Sequence, residues 1–103
     1  MGKNRDSLTI IADILRFANS GTNKTKIMYS ANLSFKVLEK YLNIVMSSGL
    51  LKKEKSLYIL TPLGCEFIKK YGDYQDKYNN TLKAFETLDC EKKRLSHFYE
   101  DGN

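Results

Sequence analysis

The side chains in this sequence best suited to chemistry are cations, and the chemistry they offer is electrostatic. Lys52, Lys53 and Lys55 crowd together within GLLKKEKSLYILTPLG, residues 49–64. Ammonium groups gathered at the tip of a tight turn displace counterions from a polyanion and add affinity that ignores base sequence. Upstream, one side of a segment of helical periodicity offers Ser34, Lys36, Lys40, Asn43 and Ser47. Lysine reaches guanine O6 and N7, and asparagine pairs with adenine, so this face has groups that read base edges. It equally has groups that touch phosphate alone, or that simply face water. Glu39 lies beside them and would repel phosphate if turned inward. Thr25, Lys26 and Tyr29 form a third set able to anchor a phosphate backbone, although Tyr29 suits the edge of a core equally well.

No other constellation competes. There is no Gly-rich phosphate loop, no Ser/His/Asp set and no pair of acids suited to a cleft, so no enzyme is expected. Cys65, Cys90 and a lone His97 do not make a metal site, and no cofactor or small-molecule ligand is expected. Both cysteines read as free thiols. If two copies pair antiparallel, Cys65 of one can approach Cys90 of the other, and intracellular disulfides do occur in hyperthermophiles.

The charge is unevenly spread. The chain of 103 residues carries 17 Lys and Arg against 12 Asp and Glu, a net +5. Residues 1–61 hold ten basic and four acidic side chains; residues 62–103 hold seven and eight. A basic part joined to a balanced one points to an anionic partner for the first and a different task for the second. The alternative is a solvated lysine surface of the kind common in heat-adapted proteins. With 42% hydrophobic residues the chain is expected to fold. No apolar run reaches membrane-spanning length, so no membrane association is expected. Asp13 interrupts the apolar stretch near the N-terminus and no cleavage site follows, so no signal peptide is expected. Met1-Gly2 lacks the Ser or Thr at position 6 that myristoylation wants, having Asp6 there.

The elements that must position these groups follow from periodicity and punctuation. Asp6 or Ser7 caps a first helix with Leu8, Ile11, Ile14, Leu15 and Ala18 inward, ended by Asn19-Ser20-Gly21. A short second helix starts at Asn23 to Thr25, uses Ile27, Met28 and Ala31, and breaks at Asn32. Ser34 caps a third helix to about Ser47 with Phe35, Leu38, Leu42, Val45 and Met46 inward, and Gly49 takes its left-handed end. Leu50 to Lys53 and Leu57 to Leu60 make a hairpin. Thr61-Pro62 opens a helix to about Tyr99, on the order of 55 Å long.

That helix carries a seam: Phe67, Tyr71, Tyr74, Tyr78, Thr81, Phe85, Leu88, Lys92, Leu95 and Tyr99 recur at alternating steps of four and three. This is the repeat of a left-handed coiled coil, with Thr81 and Lys92 as polar interruptions that can set register. One domain of this size cannot bury so long a seam, so a homodimer is expected through Phe67, Tyr71, Tyr74, Tyr78, Thr81, Phe85, Leu88, Leu95 and Tyr99.

The fold class expected is mainly α with a small β-hairpin: a winged helix-turn-helix over 1–61, then a long C-terminal coiled-coil helix over 62–100. In that layout the third helix enters the major groove and the hairpin, or wing, rides the phosphate backbone. KTKIMYSANLS, KYL, SSGLL and the Y-x-L-T-x-x-G of Tyr58 to Gly64 resemble the archaeal winged-helix family of small predicted transcriptional regulators. They resemble in particular the Sulfolobus DNA-binding proteins that dimerise through a C-terminal antiparallel coiled coil. The resemblance covers residues 8–72 and implies a homodimer on double-stranded DNA, with winged domains at opposite ends of the coiled coil. The tyrosine-rich seam and the two cysteines match no pattern of that family. The expected role is a transcriptional regulator or a chromatin-like architectural protein, in the cytoplasm and associated with the nucleoid. The alternative is a winged-helix assembly module whose basic face docks an acidic protein.

Overall fold

The computed structural model describes residues 5–19 and 21–100. Met1-Gly2, Lys3 of the basic set and Ser20 at the expected end of the first helix lie outside the described residues. The order is α1 (Ser7–Phe17), α2 (Lys24–Ser30), α3 (Phe35–Ser47), β1 (Leu51–Glu54), β2 (Leu57–Leu60) and α4 (Pro62–Ser96).

Each helix begins where a side chain takes up a backbone donor left free by the first turn. Asp6 accepts from the Thr9 N–H at 2.9 Å, Asn23 from Lys26 at 2.8 Å, Ser34 from Val37 at 3.2 Å and Thr61 from Gly64 at 3.0 Å. The Thr9 donor also holds the Asp6 carboxyl below its ordinary pKa, because it binds only the charged form strongly. Between α2 and α3 the chain turns through Asn32 at φ 55°, a left-handed conformation that asparagine tolerates.

The core gathers one face of each short helix. Ile14, Leu15 and Ala18 meet Ile27, Leu38, Leu42 and Val45, with Leu51 and Tyr58 closing it from the hairpin. Ile14 and Leu15 of α1 and its C-cap Ala18 are buried as expected; Ile10 joins them, while Leu8 and Ile11 are only half-buried. Tyr41 is buried too, its hydroxyl 2.8 Å from Ser7 Oγ, which ties α3 to the start of α1. Phe35 departs from expectation: it is 61% exposed. It stands at the first helical position, where the side chain leans toward the N-terminus and past the end of the core.

β1 and β2 pair antiparallel, Leu51 opposite Leu60 and Lys53 opposite Tyr58, around a two-residue turn with Lys55 at φ 59°. The first strand begins and ends one residue later than the sequence implies. A further pairing has no sequence signal: Thr22 and Tyr58 exchange backbone hydrogen bonds at 3.1 and 2.7 Å. This bridge fastens the α1–α2 connection to the wing.

The Thr61-x-x-Gly64 element has a physical reason. The Thr61 hydroxyl lies 2.6 Å from the Gly49 carbonyl and 3.0 Å from that of Leu50, while the Thr61 N–H also donates to Leu50. The first turn of α4 is thereby drawn onto the end of α3. A Cβ on Gly64 would run into the Leu50 carbonyl oxygen and sit 2.6 Å from Leu60 Cδ1, so only glycine permits the approach.

The chain divides into two units, one reaching Tyr71 and one beginning at Gly72. The first unit takes in the start of α4, from Pro62 to Tyr71. The cause is packing: Gly64 is buried, Phe67 and Ile68 rest on the winged core, and Tyr71 is only 7% exposed. The Arg16 guanidinium sits 5.3 Å from the centre of the Tyr71 ring. The seam positions Phe67 and Tyr71 are thus held by their own domain. In the second unit, residues 73–95 of α4 are exposed throughout. The helix ends at Ser96, earlier than expected, and Tyr99 sits in a following turn whose N–H donates to Ser96.

Candidate nucleic-acid interface

α2 and α3 are joined by Ala31 to Ser34, with Leu33 half-buried against the core. Their outer surfaces and the hairpin carry the groups singled out above. Thr25, Lys26, Tyr29, Ser34, Lys36, Lys40, Asn43, Ser47, Lys52, Lys53 and Lys55 are all exposed. Tyr29, open to either reading from sequence, is 75% exposed and not a core residue.

The lysines differ in what holds them. Lys26, Lys36 and Lys55 form no ion pair among the described residues, so their ammonium groups are available to an anion. Lys40 rests 5.3 Å over the Tyr41 ring, and Lys53 lies 5.4 Å over the Tyr58 ring. Such contacts leave the charge in place and steady the head group. Lys52 pairs with Glu54 at 3.3 Å, but both are more than half exposed, so the bond is weak enough for a phosphate to displace it. Lys55, in the left-handed turn position, caps the wing.

Glu39 is resolved by a residue the sequence did not flag. Lys24, first residue of α2, forms an ion pair with Glu39 and lies 4.9 Å over the Phe35 ring. The acid that threatened to repel phosphate is therefore compensated. The exposed Phe35 beside it belongs to the surface set as well; helical spacing alone had placed it inward. Among the described residues no cluster of three or more His, Cys, Asp or Glu could hold a metal ion. Cys65 and Cys90 are free and exposed. No helix among those residues is long and apolar enough to cross a membrane.

A family model described as winged helix-turn-helix matches residues 4–79. The chain belongs to the winged helix-turn-helix family. Its relatives include two uncharacterized proteins of the archaeon Methanocaldococcus jannaschii. One is 37% identical over 79 residues, covering 71% of this chain and 37% of the relative. The other is 39% identical over 61 residues, covering 58% and 63%. The chain thus spans less than two thirds of the length of either curated relative. Among solved structures it is similar to Sso10a-2, a DNA-binding protein from Sulfolobus solfataricus. That match has a TM-score of 0.62 at 25% identity and covers 93% of this chain and 98% of the other. ZitR of Lactococcus lactis shares the winged-helix fold at 17% identity, with a TM-score of 0.58 over 100% of this chain and 79% of that one. The archaeal winged-helix kinship implied by KTKIMYSANLS and Tyr58 to Gly64 is what these matches return, and the elements of the structure are the expected mainly helical class with one hairpin.

Proposed function

We propose that this protein binds double-stranded DNA as a homodimer. α3 enters the major groove, with Lys36, Lys40 and Asn43 toward the bases and Ser34 and Ser47 at the ends of that face. Thr25, Lys26 and Tyr29 on α2 hold the backbone on one side, and Lys52, Lys53 and Lys55 on the wing hold it on the other. The dimer forms through the exposed seam of α4. The role is that of a transcriptional regulator or a chromatin-like architectural protein, in the cytoplasm with the nucleoid. No catalytic activity enters this reading.

The observation that carries it is the set of exposed, largely uncompensated lysines on α2, α3 and the wing of a winged helix-turn-helix chain. Its similarity over nearly the whole length to Sso10a-2, itself a DNA-binding protein, supports the same reading. The test is fluorescence anisotropy of a labelled random duplex, competed with unlabelled duplexes of different sequence. Displacement indifferent to competitor sequence marks an architectural protein; one competitor displacing the label far better marks a regulator with an operator. No binding at low salt would overturn the proposal in favour of an acidic protein partner for the basic face.

A further inference from the structure

Resting on the homodimer reading above, we infer that two copies pair through α4 in one antiparallel register, with Phe85 of each chain opposite Leu88 of the other. In an antiparallel coiled coil, sliding one chain by a heptad gives the next allowed register. Three registers lie near the middle of this seam. In the first, Tyr78 faces the partner's Thr81; in the second, the partner's Leu88; in the third, the partner's Leu95.

Two independent observations select the third. The first is burial. Phe67 and Tyr71 are engaged with the core of their own domain, whereas Tyr74, Tyr78, Phe85, Leu88, Leu95 and Tyr99 are each more than half exposed. The first two registers spend exposed partner residues on those engaged positions: Leu88 or Leu95 would face Tyr71. The third pairs Tyr78 with Leu95 and Phe85 with Leu88, using only helical positions the winged core leaves exposed.

The second observation is polarity. In the third register alone, the seam's polar interruptions face each other, Thr81 opposite Lys92. The first places Lys92 against Phe67, the second against Tyr74. A parallel pairing would set Lys92 against Lys92, two ammonium groups in one layer. The hydrogen bonding of Thr81 fits this match. Its hydroxyl proton is given to the Lys77 carbonyl at 2.9 Å, so its oxygen keeps lone pairs for a donor across the seam. Lys92 is a donor only and has no ion pair among the described residues. Phe85, Leu88, Asp89 and Lys92 also line a shallow depression of about 190 Å³. Their spacing of i, i+3, i+4 and i+7 is that of a hole receiving a knob from a facing helix.

The test is disulfide mapping in the full chain with Cys65→Ser and Cys90→Ser. Chains bearing Tyr78→Cys are mixed with chains bearing Leu95→Cys and oxidised; a cross-linked heterodimer is expected. The mixture of Tyr78→Cys with Leu88→Cys should stay unlinked, because seven residues is about 10 Å along a helix and a disulfide spans less than about 7 Å between Cα atoms. Linkage in that second mixture, or of Tyr78→Cys to itself, overturns the register while leaving the dimer intact. A monomer in sedimentation equilibrium of the unaltered protein overturns the homodimer reading itself. A second series avoids new cysteines. Thr81→Glu should lower the dimer Kd roughly fivefold by facing Lys92 at two layers, while Thr81→Lys should raise it. If Thr81→Glu also raises it, Thr81 faces an aromatic ring instead and the register is wrong.

Discussion

One helix, α4, is two different objects along its length. From Pro62 to Tyr71 one face of it is covered by its own domain: Gly64 lets backbone touch backbone, Phe67 and Ile68 rest on the winged core, and Tyr71 is buried beside Arg16. From residue 73 to residue 95 the same helix leaves its side chains in water, Phe85 at 71% and Leu88 at 61% exposed. The heptad pattern runs through both stretches without a break. A sequence period reports which face of a helix is apolar, not what covers that face. In the first stretch the cover is intramolecular; in the second it must be something else, and a second copy is the occupant proposed here.

That contrast can be broken by substitution, and the largest effect is expected in the exposed stretch. Tyr78→Glu with Phe85→Glu should raise the dimer Kd at least a thousandfold, about 4 kcal/mol, giving monomers in sedimentation equilibrium. A dimer that persists would remove the seam. In the covered stretch, Gly64→Ala should act on folding instead. Forcing a Cβ onto the Leu50 carbonyl should cost about 2–4 kcal/mol in denaturant unfolding followed at fixed protein concentration. An unchanged midpoint would mean the close approach is not made.

A matched pair on α3 sharpens the same point within the winged unit. Leu38→Ala, fully buried, should cost about 2–5 kcal/mol, whereas Phe35→Ala should stay within about 0.5 kcal/mol by urea unfolding. The smallest effect is at a cap. Asp6→Ala should destabilise the fold slightly, through the loss of an N-cap. Because the Asp6 pKa is lowered on folding, its stabilisation is present above the ordinary carboxylate range. The charge-dependent part is lost as pH falls through the folded value, so the difference between Asp6→Ala and the parent should shrink in acid. A difference of the same size there would mean that the charge of Asp6 adds nothing to the cap.

Much of the fold was legible because its signals are local. Asn23, Ser34 and Thr61 act as caps, Gly49 takes a left-handed end, and Leu38, Leu42 and Val45 face inward as their spacing demands. What was not legible depends on contacts between distant residues. The Thr22–Tyr58 bridge joins residues with no shared pattern. The burial of Tyr71 depends on where α1 presents Arg16. Phe35 follows helical spacing yet sits past the end of the core, and Lys24 compensates Glu39 through an ion pair between α2 and α3. The exposed lysines of the candidate interface were readable one by one. Which of them keep an unpaired ammonium group was not, since that depends on neighbours such as Glu54 and Tyr58.

The central claim is that the basic face of the winged unit meets DNA, and the wing lysines give its most direct test. The unaltered protein and the triple variant Lys52→Ala, Lys53→Ala, Lys55→Ala would be titrated onto the same duplex by anisotropy across a salt series. The account predicts binding that weakens steeply with salt for the parent. It predicts roughly tenfold or greater weakening for the variant at low salt, and a log–log salt slope shallower by up to about 2.7 for each winged domain on the duplex. Parent and variant curves that superimpose, with equal affinity and equal slope, would contradict it.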